Sequence, residues 1–171
     1  MQNYNFDELI TRQNTDSIKW DKFNHKTIPL WVADMDFKSP PCITKSMKQR
    51  LNHEIYGYTH APENFRENIS LYLHEQYQWE VDPEWIVVLP SVVSALYSVG
   101  INCTNSASHI ITPKPVYHHL RIAAEDSGRS YDEAQLDVIN NRILLTQSSL
   151  QRVVKKNTDL LYFCNPHNPG G

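Results

Sequence analysis

The sequence predicts an α/β protein: a mainly parallel sheet with helices on both faces, preceded by an extended N-terminal arm. Three observations lead there. Residues 86–89 are a short continuous apolar run, the texture of a strand buried on both faces, and 109–112 and 160–164 read as buried strands too. Segments with helical spacing of apolar residues lie between them. Strands alternating with helices imply a parallel sheet joined by right-handed crossovers.

Taken in order, the first forty residues are irregular and aromatic-rich, ending in Trp31-Val32-Ala33-Asp34-Met35-Asp36-Phe37, and read as an arm with one short strand. Ser39-Pro40-Pro41 opens a helix, with a capping hydroxyl and prolines suited to the first turn. Ile43, Met47 and Leu51 recur every fourth residue, so the helix runs amphipathic to about His53. Tyr56-Gly57-Tyr58 breaks it. A second helix is expected from Pro62 to about Gln78, with Phe65, Ile69, Tyr72 and Leu73 on one face. The run at 86–89 is read as a buried strand, and Pro90-Ser91 turns it into a helix over 92–103. A second strand at 109–112 should stop at Pro113, with a helix over 116–126 after it. Residues 142–145 read as a strand, 148–156 as a helix and 160–164 as the last buried strand.

Composition removes several function classes. The chain has 171 residues and a formal net charge of -3, which gives no electrostatic footprint for nucleic acid or an anionic membrane. No apolar run approaches the ~18 residues of a membrane span, and no secretory signal is present, so a soluble cytoplasmic protein is expected. Only 5 glycines occur, two of them at the end, which leaves no GxGxxG or GxxxxGK[ST] loop for a dinucleotide or a P-loop phosphate. Cys42, Cys103 and Cys164 form no CxxC and read as reduced, semi-buried thiols. His118 and His119 are adjacent, so on a helix their side chains should splay apart, as surface residues do and paired metal ligands do not.

Ligands of open parallel sheets bind beyond the C-terminal ends of the strands, which selects residues 90–93, 113–117 and 165–171. Ser91 stands where a strand gives way to a helix, so its hydroxyl and the amides of Val92 and Val93 suit an anion, phosphate above all. It equally suits a plain helix cap. Tyr117 can stack on a planar ligand or simply start a helix in the core. The Asn168 amide can donate to a ligand oxygen or hold its own turn.

Together, the segments 31–37, Tyr56-Gly57-Tyr58-Thr59, Pro90-Ser91-Val92-Val93, Pro113-Lys114-Pro115-Val116-Tyr117 and Cys164-Asn165-Pro166-His167-Asn168-Pro169-Gly170-Gly171 resemble fold-type I pyridoxal-phosphate (PLP) enzymes of the class I/II aminotransferase superfamily. The likeness is greatest to MalY/PatB-type cystathionine β-lyases, also called cysteine-S-conjugate β-lyases. The resemblance implies that Ser91, Val92 and Val93 hold the cofactor phosphate and that Tyr117 stacks on its pyridine ring. It implies that Asn168 donates to the phenolic oxygen and that Tyr58 reaches the phosphate of a neighbouring subunit's cofactor, making the enzyme a homodimer. Ala33 and Asp34 are similar to the segment that closes over the amino-acid substrate, cystathionine or another cysteine S-conjugate. Residues 1–40 then correspond to the arm and part of the small domain, and 41–171 to the first half of the large PLP-binding domain. The family's Schiff-base lysine, its aspartate on the pyridine nitrogen and its carboxylate-binding arginine have no match among these residues. The chain is thus expected to be the N-terminal part of a longer enzyme and inactive alone. The alternatives are an aminotransferase, which shares every motif here, and a truncated relative acting as an interaction module.

Overall fold

The computed structural model describes residues 4–24 and 26–171. The expected arm over 1–40 therefore includes 1–3 and 25, which lie outside the described residues. Contacts divide the chain into two compact units, Met1–Pro62 and Glu63–Gly171.

The first unit holds a short helix α1 (Ile18–Asp21), capped by the Ser17 hydroxyl on the Trp20 amide, and α2 (Pro41–Asn52), which has Pro41 in its first turn as the sequence predicts. Residues 31–37 run without the expected strand. No neighbouring strand is paired with them, and side-chain bonds fix their path instead. The apolar residues of α2, Ile43, Met47 and Leu51, are all exposed.

The second unit opens with α3 (Phe65–Tyr77), which starts three residues later than expected. A 3-10 turn (Pro83–Trp85) follows, capped by Asp82. Residues 86–89 are not a buried strand: no ladder is formed, and Val87, Val88 and Leu89 are exposed. The apolar run has strand composition, but no described strand lies beside it to take its main-chain groups.

The sheet follows α4 (Val92–Asn102) and contains β1 (His109–Lys114), α5 (His118–Asp126), β2 (Ser130–Gln135), α6 (Gln147–Gln151) and β5 (Thr158–Leu161), with an antiparallel hairpin of β3 (Asp137–Ile139) and β4 (Arg142–Leu144) between β2 and α6. Strand order is β2-β1-β5, and both pairings are parallel, as predicted. Ile110 on one face of β1 packs with Leu120, Ala123, Ala124 and Tyr162 in a core flanked by Leu96 and Tyr97 of α4. Ile111 and Pro113 on the opposite face, and Ala134 of β2, are buried too, so both faces of the central strand are covered. His109 is tolerated inside because both ring nitrogens are engaged, Nδ1 with Thr158 Oγ1 at 2.7 Å and Nε2 with Asp132 Oδ2 at 3.2 Å.

Pro113 does not end β1, contrary to the sequence reading. The bonds His109 N–H to Asn157 O and Tyr162 N–H to Ile111 O show that odd-numbered residues of β1 turn their main chain toward β5, while Leu136 N–H to Lys114 O turns even ones toward β2. Pro113 faces the β5 side beyond the last pair, Ile111 with Leu161. Its missing N–H therefore interrupts no ladder bond. The last helix is shorter than the predicted 148–156, and β5 begins and ends earlier than 160–164.

Candidate functional site

Chain direction decides where the site lies. Both α4 and α5 end at the edge where the strands begin. There the Arg129 side chain, just ahead of β2, donates to Ile101 O at 3.1 Å and to Thr104 Oγ1 at 3.0 Å. Their first residues therefore open at the opposite edge, beyond the C-terminal ends of β1 and β5. That edge is where parallel sheets take ligands.

Ser91 is the N-cap of α4. Its Oγ accepts the Ser94 amide at 3.0 Å and lies 2.9 Å from Ser94 Oγ. Val92 and Val93 form the first turn, whose N–H groups the helix cannot satisfy itself. Val92 is exposed and Val93 half-buried. Two free amides on the positive end of an 11-residue helix, beside a hydroxyl, form a donor set suited to a phosphate monoester.

Tyr117 caps α5, and its main-chain N–H donates to the carbonyl of Asn168 at 2.8 Å. This one bond brings together two of the sequence-predicted residues, one from each strand end. The Tyr117 ring lies 4.9 Å from that of His118 and 5.1 Å from that of His119. The two histidines do not splay apart: their ring centroids are 4.2 Å from each other. They stand at the very start of α5, so both rings gather against Tyr117. His119 Nδ1 is buried without a partner, as is His167 Nε2. Among the described residues, no group of three or more His, Cys, Asp or Glu could hold a metal.

The Asn168 turn is tied by neighbours that the sequence reading did not single out. Cys164 Sγ accepts the Asn168 amide at 3.4 Å, and His167 Nδ1 accepts the Gly170 amide at 3.0 Å. The sequence marks Cys164 as a thiol, and its place just past β5, four residues before Asn168, is the signal for this bond. Cys42 and Cys103 are exposed, not semi-buried.

Ala33, Asp34 and Tyr58 belong to the first unit. Tyr58 is fully exposed. Asp34 is bound twice: its carboxylate lies 2.7 Å from Arg12 Nη1, and its carbonyl accepts from Lys19 Nζ at 2.8 Å. Two residues on, Asp36 accepts from Arg12 at 2.6 Å, Lys19 at 2.8 Å and Trp20 Nε1 at 2.8 Å. Those three donors, Lys19 foremost, hold the Asp36 carboxyl far below the usual carboxylate range. The two carboxylates, Asp36 first, raise the Arg12 pKa.

The fold and the strand-end geometry define a class. Residues 25–171 match Aminotransferase class I and II, and the chain belongs to this family. Among curated relatives it is 32% identical over 98% of its length to the cystathionine beta-lyase PatB of Bacillus subtilis. Among solved structures it resembles cystalysin of Treponema denticola, which contains a pyridoxal 5'-phosphate cofactor, at 29% identity and a TM-score of 0.88 over 99% of the chain. It also resembles the PLP-bound C-S lyase of Staphylococcus hominis, at 26% identity and a TM-score of 0.88 over 98% of the chain. The chain spans less than half the length of these relatives: 45% of PatB, 45% of cystalysin and 44% of the Staphylococcus enzyme.

Proposed function

We propose that this chain is part of a PLP-dependent carbon–sulfur β-lyase, which cleaves cystathionine or another cysteine S-conjugate to a thiol, pyruvate and ammonia. The observation that carries the reading is the shared sheet edge, where the free amides of Val92 and Val93 open on the same side as the Tyr117–Asn168 junction. PLP, when bound, supplies an electron sink for the bond-breaking at the amino-acid α-carbon. The residues here bind and orient. Ser91, Val92 and Val93 take the phosphate at the helix terminus. Tyr117 offers a ring face to a planar heteroaromatic, and the Asn168 amide donates to an oxygen on it. None of the nine lysines stands in the context of the family's Schiff-base lysine, and the aspartate and arginine that such chemistry requires have no match here either, so the 171 residues alone are expected to be inactive.

Several finer assignments belong to the same proposal. Residues 1–40 serve as the arm and part of a small domain, and 41–171 as the first half of the cofactor domain. Ala33 and Asp34 close on the amino-acid substrate. The enzyme works as a homodimer in the cytoplasm, and the fully exposed Tyr58 side chain, free to reach a neighbour, supports that reading. Among the described residues no helix is long and apolar enough to cross a membrane.

The test is pyruvate release from L-cystathionine by the full-length protein supplied with PLP. Absence of pyruvate, with amino transfer to an added keto acid instead, would establish the second reading, an aminotransferase, the activity for which the family is named. In the lyase, Ser91→Ala should weaken PLP affinity about tenfold, the loss of one hydrogen bond to a charged group. Equilibrium titration of the apoenzyme checks this, and unchanged affinity would remove Ser91 from the phosphate site.

A further inference from the structure

The segment that carries Ala33 and Asp34 has no strand or helix to hold it, yet it is fixed at both ends. Upstream, the Trp31 indole N–H donates to Lys19 O at 3.4 Å, and Lys22 Nζ sits 4.1 Å from the centre of the Trp31 ring. Downstream, Asp36 takes three donors, from Arg12, Lys19 and Trp20. Between them, Asp34 is held by Arg12 through its carboxylate and by Lys19 through its carbonyl. The clasp is partly shielded, with the side chains of Lys19 and Arg12 only 11% and 25% exposed. Isolated exposed ion pairs contribute little. Here, however, two cations and an indole converge on one carboxylate, and both cations also reach Asp34.

We propose that Arg12 and Asp36 are positioning residues. They form a clasp that sets the course of the Ala33–Asp34 segment in advance and so raises the enzyme's affinity for its amino-acid substrate without touching the reacting atoms. The inference rests on the reading above for the identity of that substrate and for the closing of Ala33 and Asp34 over it. The clasp also commits the Asp34 carboxylate to Arg12, so what Asp34 presents to a ligand depends on Arg12. Preorganisation of this kind lowers the ordering cost at binding, and its loss appears in KM more than in kcat.

The experiment uses full-length holoenzyme carrying Arg12→Met, Asp36→Asn or Arg12→Lys, with rates normalised to bound PLP. Arg12→Met and Asp36→Asn should raise KM for L-cystathionine about tenfold with kcat within about twofold. Arg12→Lys keeps the charge but not the reach to both carboxylates, and should recover part of the loss. A second measurement is independent of activity. Limited proteolysis should cut within 30–38 faster in Asp36→Asn than in the wild type, by about tenfold. If either charge-removing variant fails to fold, Trp20→Phe removes one donor from Asp36 and should show the same pattern at about threefold. A wild-type enzyme that releases no pyruvate defeats the lyase reading alone, and the proteolysis result then decides the clasp. An active wild type with unmoved KM and unchanged cleavage in the variants overturns the clasp alone.

Discussion

Tyr162 is the residue on which the core of the second unit turns. It follows β5, is 4% exposed, and sends its hydroxyl 2.6 Å to the carbonyl of Leu96 in α4. Burial raises its pKa. Gly100, one helical turn further along α4, leaves room for that hydroxyl: a Cβ there would lie 2.6 Å from Tyr162 Oη, with the next atoms at 3.3 Å and 3.5 Å. Gly100→Ala should therefore destabilise by about 1–3 kcal/mol as an overpacked site. Tyr162→Phe should cost about 1 kcal/mol by removing the hydrogen bond to the Leu96 carbonyl. The double variant should cost less than the two together, because removing the hydroxyl frees the space that the new methyl needs. Urea unfolding of the four proteins measures this coupling, and strict additivity would mean the helix shifts instead. A similar contrast governs how far the site could be read from sequence. Tyr117 and Asn168 are legible as candidates because apolar runs followed by turn residues mark the ends of β1 and β5, whereas Ser91 is legible only as a helix cap, since the run before it forms no strand. Cys164, His167 and Arg12 are not legible, because their roles depend on partners that spacing does not reveal.

At the scale of elements, what the sequence shows depends on how much of each element is buried. The central strand β1 was plain, since His109 to Pro113 are all buried. Its neighbour β2, Ser-Tyr-Asp-Glu-Ala-Gln, went unread: it lies at the end of the strand order and buries only Ala134 fully, so no apolar run or clean alternation marks it. Residues 86–89 failed in the opposite direction, apolar but unpaired. The short helix α6 survives through polar bonds instead. Thr146 caps it by accepting the Ser149 amide at 3.1 Å, and the Ser149 hydroxyl answers to the Thr146 amide at 3.2 Å. Asp137 of β3 anchors this cap, accepting from the Thr146 hydroxyl, from Ser149 Oγ at 3.0 Å and from Arg152 at 3.0 Å. Thr146→Ala should cost about 1 kcal/mol. The same donors, Thr146 first, lower the Asp137 pKa to about 2. A carboxyl depressed below its unfolded value of about 3.9 stabilises the fold at higher pH and ceases to do so as pH falls through about 2. Asp137→Asn should accordingly lower the unfolding midpoint at pH 7 and converge with wild type near pH 2. A gap that persists unchanged at low pH would show that the charge is not what anchors α6.

The molecule as a whole carries more surface than its core requires. Its accessible area is 13827 Å². Folded bodies of 62 and 109 residues, the sizes of the two units, would expose roughly 10,000 Å² even if each stood alone. Part of the excess is apolar: Trp85, Val87, Val88, Leu89 and Val92 lie exposed just before and at the start of α4, beside the proposed phosphate site, and Ile43, Met47 and Leu51 lie along α2. Apolar patches of this kind mark surfaces that another part of an assembly covers. In the lyase reading, the cover is the rest of the subunit together with the second subunit. That assignment makes opposite predictions for the 171-residue chain and for the whole enzyme. In the chain alone, Val87→Lys with Leu89→Lys should change the unfolding free energy by less than about 0.5 kcal/mol per site, since both side chains already face water. The unmodified chain should bind a hydrophobic dye and associate with rising concentration in sedimentation, and the substitution should cut both. In the full-length enzyme the same pair should be strongly destabilising, because two charges are then forced into an apolar interface. Equal and small effects in both proteins would mean that residues 86–89 stay exposed in the finished enzyme, and the covering surface would have to be sought along α2 instead.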